Sequence, residues 1–133
     1  MKTSMIIFVV VGVVIIGVLF LTRGYMSTTA RQLLGASEFV TALSAHPGAI
    51  LIDVRTLGEY TLGHMRGAQN IDIQSVSFAN EIAKLDVAGT YFVYCHSGRR
   101  SAAAVSLMKQ KGLTNIYELA GGVSAAPQLM TER

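Results

Sequence analysis

Apolar residues along this chain recur in two patterns, continuous short runs and helically spaced positions, and the two alternate. A nearly continuous apolar run predicts a strand over residues 49–54, and further short strands are predicted over residues 68–73, 90–94 and 115–119. Helical spacing predicts helices over residues 36–44 and 100–111, a helix through Phe78, Ile82 and Leu85 that ends at Gly89, and a short helix within residues 55–64. Because strands alternate with helices, we expect an α/β fold whose central, mainly parallel sheet is flanked by helices.

The N-terminal segment is apolar without interruption. Residues 5–21 contain no charged or amide side chain and lie between Lys2 and Arg23. Their length is close to the roughly 17–25 residues that cross a bilayer as a helix. It exceeds the apolar region of about 7–15 residues in a cleaved signal peptide, which is the alternative interpretation. The predicted organisation is one transmembrane anchor over residues 1–22, a linker over residues 23–32 and a folded domain over residues 33–133.

Charges beside the apolar run bear on membrane orientation. Lys2 lies on one flank, whereas Arg23 and Arg31 lie on the other. By the positive-inside rule, this excess favours a single-pass protein of the cell membrane, inserted through residues 5–22, with its C-terminal domain in the cytoplasm. A cysteine without a disulfide partner also suits a reducing compartment. A periplasmic or extracellular domain is the alternative.

Composition narrows the classes of partner and cofactor. The net charge is only +3 over 133 residues, and no run of lysines and arginines stands out, so we predict no nucleic-acid partner. One cysteine excludes an internal disulfide. The three histidines, His46, His64 and His96, show no metal-ligand spacing with that cysteine, and we predict no metal site.

The lone cysteine, Cys95, stands where a predicted strand passes into a predicted helix. Backbone N–H groups and the positive end of the helix dipole favour a thiolate there. Gly98 permits the backbone conformation of a loop that curls around an anion. Ligands of parallel sheets bind off the carboxyl ends of the strands, which is where Cys95 lies. We predict Cys95 as the catalytic nucleophile and, as substrate-binding residues, His96, Ser97, Gly98, Arg99 and Arg100.

Two long motifs resemble those of a known family. Residues 95–101, CHSGRRS, resemble the C-x-x-G-x-R-S active-site loop of the single-domain rhodaneses, which are thiosulfate sulfurtransferases. Residues 53–71, DVRTLGEYTLGHMRGAQNI, are similar to that family's D-V-R-x-x-x-E-[YF]-x-x-G-H-I-x-G-A-x-N-I signature. Gly121 and Gly122 match the glycine pair of its C-terminal motif. The resemblance extends from about residue 33 to the end of the chain.

The resemblance implies a rhodanese-like fold and a two-step sulfur transfer. The Cys95 thiolate would attack the outer sulfur of thiosulfate, or of a similar small sulfur-containing anion, and would become a persulfide. A nucleophilic acceptor (cyanide, a thiol or a protein cysteine) would then remove that sulfur. The N–H groups of residues 96–100 would hold the persulfide charge, and Arg99 and Arg100 would receive the sulfonate. No metal or organic cofactor is implied.

The upstream signature is predicted to be scaffold. Arg55 and Glu59 lie four residues apart and are expected to pair on a short helix, which Asp53 would cap, while His64 is expected to hold a turn.

The family often has an aromatic residue after the glycine pair, where this chain has Val123. We therefore expect one wall of the pocket to be more open.

Other functions remain open. The cell-cycle dual-specificity phosphatases share the fold, but they place five residues between cysteine and arginine so that the loop encircles a phosphate. Here four residues separate Cys95 from Arg100, which leaves less room for a tetrahedral phosphate. An arsenate reductase is disfavoured as well. A membrane-tethered interaction or sulfur-relay module that turns over poorly and serves one partner protein is the alternative from another class.

Overall fold

A computed structural model describes residues 32–132 of the chain. The predicted anchor over residues 1–22 and residues 23–31 of the predicted linker lie outside this range. Among the residues that it covers, no helix is both long enough and apolar enough to cross a bilayer.

Strands and helices alternate through the described residues. The strands are β1 (Gln32–Leu34), β2 (Ile50–Asp53), β3 (His64–Met65), β4 (Gln69–Asn70), β5 (Thr90–Tyr94), β6 (Asn115–Leu119) and β7 (Met130–Glu132). The α-helices are α1 (Ala36–Ala45), α2 (Leu57–Leu62), α3 (Phe78–Ile82) and α4 (Arg99–Gln110), and short 3₁₀ turns follow at Gly122–Ser124 and Pro127–Leu129.

Five of these strands form a parallel sheet in the order β1-β6-β5-β2-β4, and β3 pairs antiparallel with β7 in a separate ribbon. The mainly parallel α/β fold predicted from the alternation of elements is thus confirmed.

The central strand β5 is covered on both faces, as its continuous apolar sequence predicts. Tyr91 and Val93 pack into one core with side chains of α3 and α4, and Phe92 and Tyr94 pack into a second core with Phe39 of α1. These four of the five β5 residues are 0% exposed. Their side chains alternate between the two cores because successive residues of a strand point to opposite faces of a sheet.

The register of β2 and β5 positions the site. Asp53 lies opposite Tyr94, so the two strands end together, and the N–H of Val54 donates to the Tyr94 carbonyl at 3.0 Å. The segments that follow the two strands, residues 54–59 and 95–100, therefore leave the same edge of the sheet side by side.

Several elements differ from the sequence-based expectation. The strand predicted over residues 68–73 is reduced to β4, and α3 ends at Ile82 because the next N–H groups, of Lys84 and Leu85, bond three residues back instead of four. The exposed edge strand β1 and the β3–β7 ribbon were not predicted at all.

Candidate active site

Cys95 directly follows β5 and is almost fully enclosed, with 1% of its surface exposed. Its Sγ accepts a hydrogen bond from the N–H of Gly98 at 3.0 Å. Gly98 has a φ of 91° and serves as the N-cap residue of α4, so the loop doubles back toward the sulfur. Gly98 thus adopts the unusual backbone conformation that the sequence analysis assigned to this loop.

The other amides of this loop are not used inside the domain. Within residues 32–132, no carbonyl or side chain accepts a hydrogen bond from the N–H of His96, Ser97, Arg99 or Arg100. The first two are loop amides, and the last two belong to the first turn of α4, whose N–H groups have no intrahelical partner. Such a set of donors at the positive end of a helix can stabilise a negative charge on or beside the cysteine sulfur.

The turn that contains Gly121 and Gly122 is hydrogen-bonded to the cysteine loop. The N–H groups of Val123 and Ser124 donate to the carbonyls of Cys95 and His96 at 2.9 and 2.8 Å. Gly122 has a φ of 60°, and a Cβ atom built on it would lie 2.5 Å from both of those carbonyl oxygens. The close approach of two backbone segments therefore requires glycine at this position.

The side chain of Arg100 contacts α2. Its Nη1 and Nη2 donate to the two carboxylate oxygens of Glu59 at 2.7 Å each. Glu59 also accepts hydrogen bonds from the backbone and hydroxyl of Thr56, which completes the N-terminal cap of α2. This bidentate pair ties the start of α2 to the start of α4.

The upstream pairing predicted from sequence is wrong. Arg55 pairs with Asp53, not with Glu59, and its Nη2 donates both to Asp53 Oδ2 and to the Gly63 carbonyl, each at 2.6 Å. The reason is that Arg55 precedes α2, so helical i, i+4 spacing does not apply to it. Thr56, and not Asp53, caps the helix. Both members of the Asp53–Arg55 pair are buried.

Hydrogen bonding from Arg100 lowers the pKa of Glu59 from 4.5 to about 2, against the opposing effect of partial burial. A carboxylate whose pKa is lower in the folded than in the unfolded state stabilises the fold above its unfolded pKa and loses that effect as the pH falls. We therefore expect Glu59→Gln to lower the melting temperature at neutral pH. The difference from wild type should shrink between about pH 4.5 and pH 2.

A double-mutant cycle with Arg100→Met controls this prediction. If Glu59 stabilises the fold through Arg100, then Glu59→Gln has little further effect in the Arg100→Met background. A melting-temperature difference between wild type and Glu59→Gln that stays constant across this pH range would contradict the assignment.

Two buried residues at the site were not predicted. Ser101 Oγ lies 3.4 Å from Cys95 Sγ and 2.7 Å from Oε1 of Glu118 on β6, and both residues are 0% exposed. The available signal for Glu118 was an acidic residue between Tyr117 and Leu119 in a predicted strand, because charged side chains are rarely buried without a partner.

A cleft of about 580 Å³ opens beside the loop. His96 is the loop residue that reaches it, and the cleft is also lined by Arg55, Glu59, Leu62, Gly63 and the β7 strand. Val123 does not line this cleft, since its side chain is 5% exposed and packs in the core that contains Phe92. That a more open pocket wall follows from Val123 stays a prediction.

The structure thus brings part of the predicted set together. Cys95 and Gly98 are in direct contact, His96, Ser97 and Arg99 are exposed around them, and Arg100 is turned to Glu59. In residues 32–132, no cluster of three or more histidine, cysteine or acidic side chains could hold a metal ion.

The order of these features along the chain can be compared with known families. The sequence model of the Rhodanese-like domain matches residues 36–126, which include β2, the Cys95 loop and the glycine pair. The chain belongs to the rhodanese-like family. The match covers the elements that build the cysteine loop and the turn that supports it.

Curated relatives and solved structures agree with this assignment. The thiosulfate sulfurtransferase GlpE of Pseudomonas aeruginosa is 35% identical over 97 residues, which span 73% of this chain and 84% of the relative. The protein of the same name from Pseudomonas fluorescens is 33% identical over 75 residues, 56% of this chain and 67% of the relative. The crystal structure of a rhodanese-related protein from Thermoplasma volcanium, at 29% identity, superposes with a TM-score of 0.61 and covers 74% of this chain and 92% of its own.

Proposed function

We propose that this rhodanese-like protein is a sulfurtransferase that carries sulfane sulfur as a persulfide on Cys95. The observation that carries the proposal is the hydrogen bond from the Gly98 N–H to Cys95 Sγ, in a loop whose remaining amides are not used within residues 32–132. Such donors stabilise an anionic sulfur without needing a cofactor. The thiosulfate sulfurtransferase relatives support the same reaction class.

The first half-reaction loads the protein. The Cys95 thiolate attacks the outer sulfur of thiosulfate or a similar small anion, a new sulfur–sulfur bond forms, and the donor's sulfur–sulfur bond breaks as sulfite leaves with its electron pair. In the second half-reaction, cyanide, a thiol or a protein cysteine attacks the outer sulfur of the persulfide. Cys95 then leaves as a thiolate, and the loop amides again hold its charge.

The two arginines take different parts in this proposal. Arg99 is exposed on the first turn of α4 and makes no ion pair within residues 32–132, so it can receive the sulfonate end of the donor. Arg100 is bound by Glu59 and thereby orients the C-terminal end of the cysteine loop. This pair also disfavours a phosphatase, because the Glu59 carboxylate competes with a phosphate for the face of the guanidinium that it occupies.

The activity is tested with the full-length chain, thiosulfate and cyanide. We expect stoichiometric sulfite release in the absence of cyanide and continuous thiocyanate release in its presence. Hydrolysis of p-nitrophenyl phosphate without either product would instead favour the phosphatase.

A low-turnover sulfur relay to one partner protein is a second candidate. Two leucines of α2 support it, since Leu57 is 63% exposed and Leu62, at the rim of the cleft, is 80% exposed. Apolar side chains in such positions suit contact with another protein. Sulfite release with thiosulfate, followed by no thiocyanate release with cyanide, would favour this candidate.

We also propose that residues 5–22 anchor the protein in the cell membrane, with the rhodanese-like domain in the cytoplasm. The support comes from the uninterrupted apolar run and the flanking Lys2, Arg23 and Arg31. We expect the chain to sediment with membranes and to resist protease added to intact spheroplasts. Digestion of the domain in intact spheroplasts would place it in the periplasm instead.

A further inference from the structure

A carboxylate lies fully buried in the middle of the fold. Glu118 belongs to β6, and its strand neighbours Ile116 and Leu119 are core residues. Glu118 itself is 0% exposed, and its Oε1 accepts a hydrogen bond from Ser101 Oγ at 2.7 Å. A buried carboxylate needs hydrogen-bonding or ionic partners, and one partner of Glu118, Ser101, lies directly after the cysteine loop.

Ser101 connects this carboxylate to the nucleophile. Its hydroxyl lies 3.4 Å from Cys95 Sγ, 2.7 Å from Glu118 Oε1 and 3.1 Å from the Gly98 carbonyl. A hydroxyl group has only one hydrogen to donate, and the Glu118 oxygen, at 2.7 Å, is closer to Ser101 Oγ than the Gly98 carbonyl, at 3.1 Å. The Ser101 hydrogen therefore goes to Glu118, and the lone pairs of Oγ are left to accept the Cys95 thiol hydrogen.

The three side chains thus form a hydrogen-bonded chain with one direction, from Cys95 through Ser101 to Glu118. We propose that Glu118 acts through Ser101 as the acceptor of the Cys95 thiol proton, and is a positioning residue for the sulfur transfer. This inference rests on the proposed function, since it concerns how the nucleophile of that reaction is formed.

The proton transfer involves only these three side chains, and protons and charges balance among them. The Cys95 proton passes to Ser101 Oγ while the Ser101 hydroxyl hydrogen passes to Glu118 Oε1. The products are a Cys95 thiolate, an intact serine and a neutral Glu118 carboxyl group. The hydroxyl of Ser101 then donates toward the sulfur, so the reversed chain stabilises the thiolate alongside the Gly98 N–H. The proton returns when the acceptor has taken the outer sulfur and Cys95 is released.

The direct test is Glu118→Gln in the full-length chain. The amide retains the shape of the side chain and an acceptor for Ser101, but it cannot take the proton. We expect alkylation of Cys95 by iodoacetamide, and single-turnover sulfite release from thiosulfate, to slow about 100-fold, at the low end of what a positioned proton acceptor contributes. Removal of sulfur from the persulfide by cyanide should change little, because Cys95 already leaves as a thiolate.

Ser101→Ala breaks the same chain and should slow alkylation to a similar extent, and the double variant should be no slower than either single one. Should Glu118→Gln fail to fold, Ser101→Ala carries the test by itself. Exposed residues of the same types provide matched controls: Ser106→Ala on α4 and Glu38→Gln on α1 should react at the wild-type rate.

Three results would overturn the inference: wild-type alkylation rates in Glu118→Gln, additive losses in the double variant, or equal slowing of sulfur loading and unloading. The last would assign Glu118 a structural role. A wild-type chain that accepts no sulfur from thiosulfate would refute the proposed function instead. The alkylation experiment needs no sulfur donor and would still decide the role of Glu118.

Discussion

Cys95→Ser is expected to abolish both half-reactions, with no sulfite released from thiosulfate and no thiocyanate formed with cyanide. A serine hydroxyl ionises far less readily than a thiol and cannot hold a sulfane sulfur as a persulfide. The chain of 133 residues contains no second cysteine that could take over. The measurement is the amount of each product over many turnovers.

The fold should survive this substitution. Serine is close to cysteine in size, and at this position it would have the Gly98 N–H and the Ser101 hydroxyl as hydrogen-bond partners. The variant should therefore keep a cooperative thermal transition close to that of wild type. Thiocyanate release by a folded Cys95→Ser protein would show that sulfur passes directly from donor to acceptor, and would contradict a covalent intermediate.

Gly122→Ala is expected to lower the free energy of unfolding by about 2–5 kcal/mol, from the cost of a left-handed alanine and of overpacking. The added Cβ atom would lie 2.5 Å from the carbonyl oxygens of Cys95 and His96, which belong to the backbone and cannot rotate away. The clash would also separate the N–H groups of Val123 and Ser124 from those carbonyls. Urea denaturation monitored by circular dichroism measures the loss, and sulfur transfer should fall with it.

Gly58→Ala is the matched control. Gly58 lies in α2, is exposed and has no atom within 4 Å of an added Cβ. Alanine at such a helical position should raise the free energy of unfolding by about 0.4–1 kcal/mol. Equal losses in Gly122→Ala and Gly58→Ala would show that the close approach to the cysteine loop is not what requires glycine at position 122.

The central strands of the fold could be predicted because buried strands have a recognisable amino-acid composition. Strands β5 and β6 match the predicted residues 90–94 and 115–119. Strand β5 is covered on both faces of the sheet, and such a strand is rich in apolar residues along its whole length. Strand β1 could not be found this way, because it is an edge strand with largely exposed residues and no apolar alternation. The strands of the β3–β7 ribbon are too short to show any period.

For the candidate site, too, some features could be predicted from the sequence and others could not. Local features were predictable: the cysteine after a strand, the left-handed glycine and the helix that starts beside them. Contacts between distant segments were not. Glu59 and Arg100 are 41 residues apart in sequence, and they meet only because β2 and β5 are neighbours that end at the same level. The short spacing between Arg55 and Glu59 suggested that these two residues form a salt bridge. In the turn after β2, Arg55 instead forms its salt bridge with Asp53.

For the glycine pair, the sequence located the motif but did not explain its structural role. Its match to the family's C-terminal motif gave the position, but not the hydrogen bonds from Val123 and Ser124 to the backbone of the cysteine loop. Those bonds cross from the turn after β6 to the loop after β5, and only the folded chain places them together.

The most direct measurement is the intact mass of the full-length chain after incubation with thiosulfate, followed by peptide mapping. We expect the gain of a single sulfur atom, located on the peptide that contains Cys95 and removed by cyanide. An unchanged mass, or a sulfur atom found on any other peptide, would contradict the assignment of this loop as the carrier of sulfane sulfur.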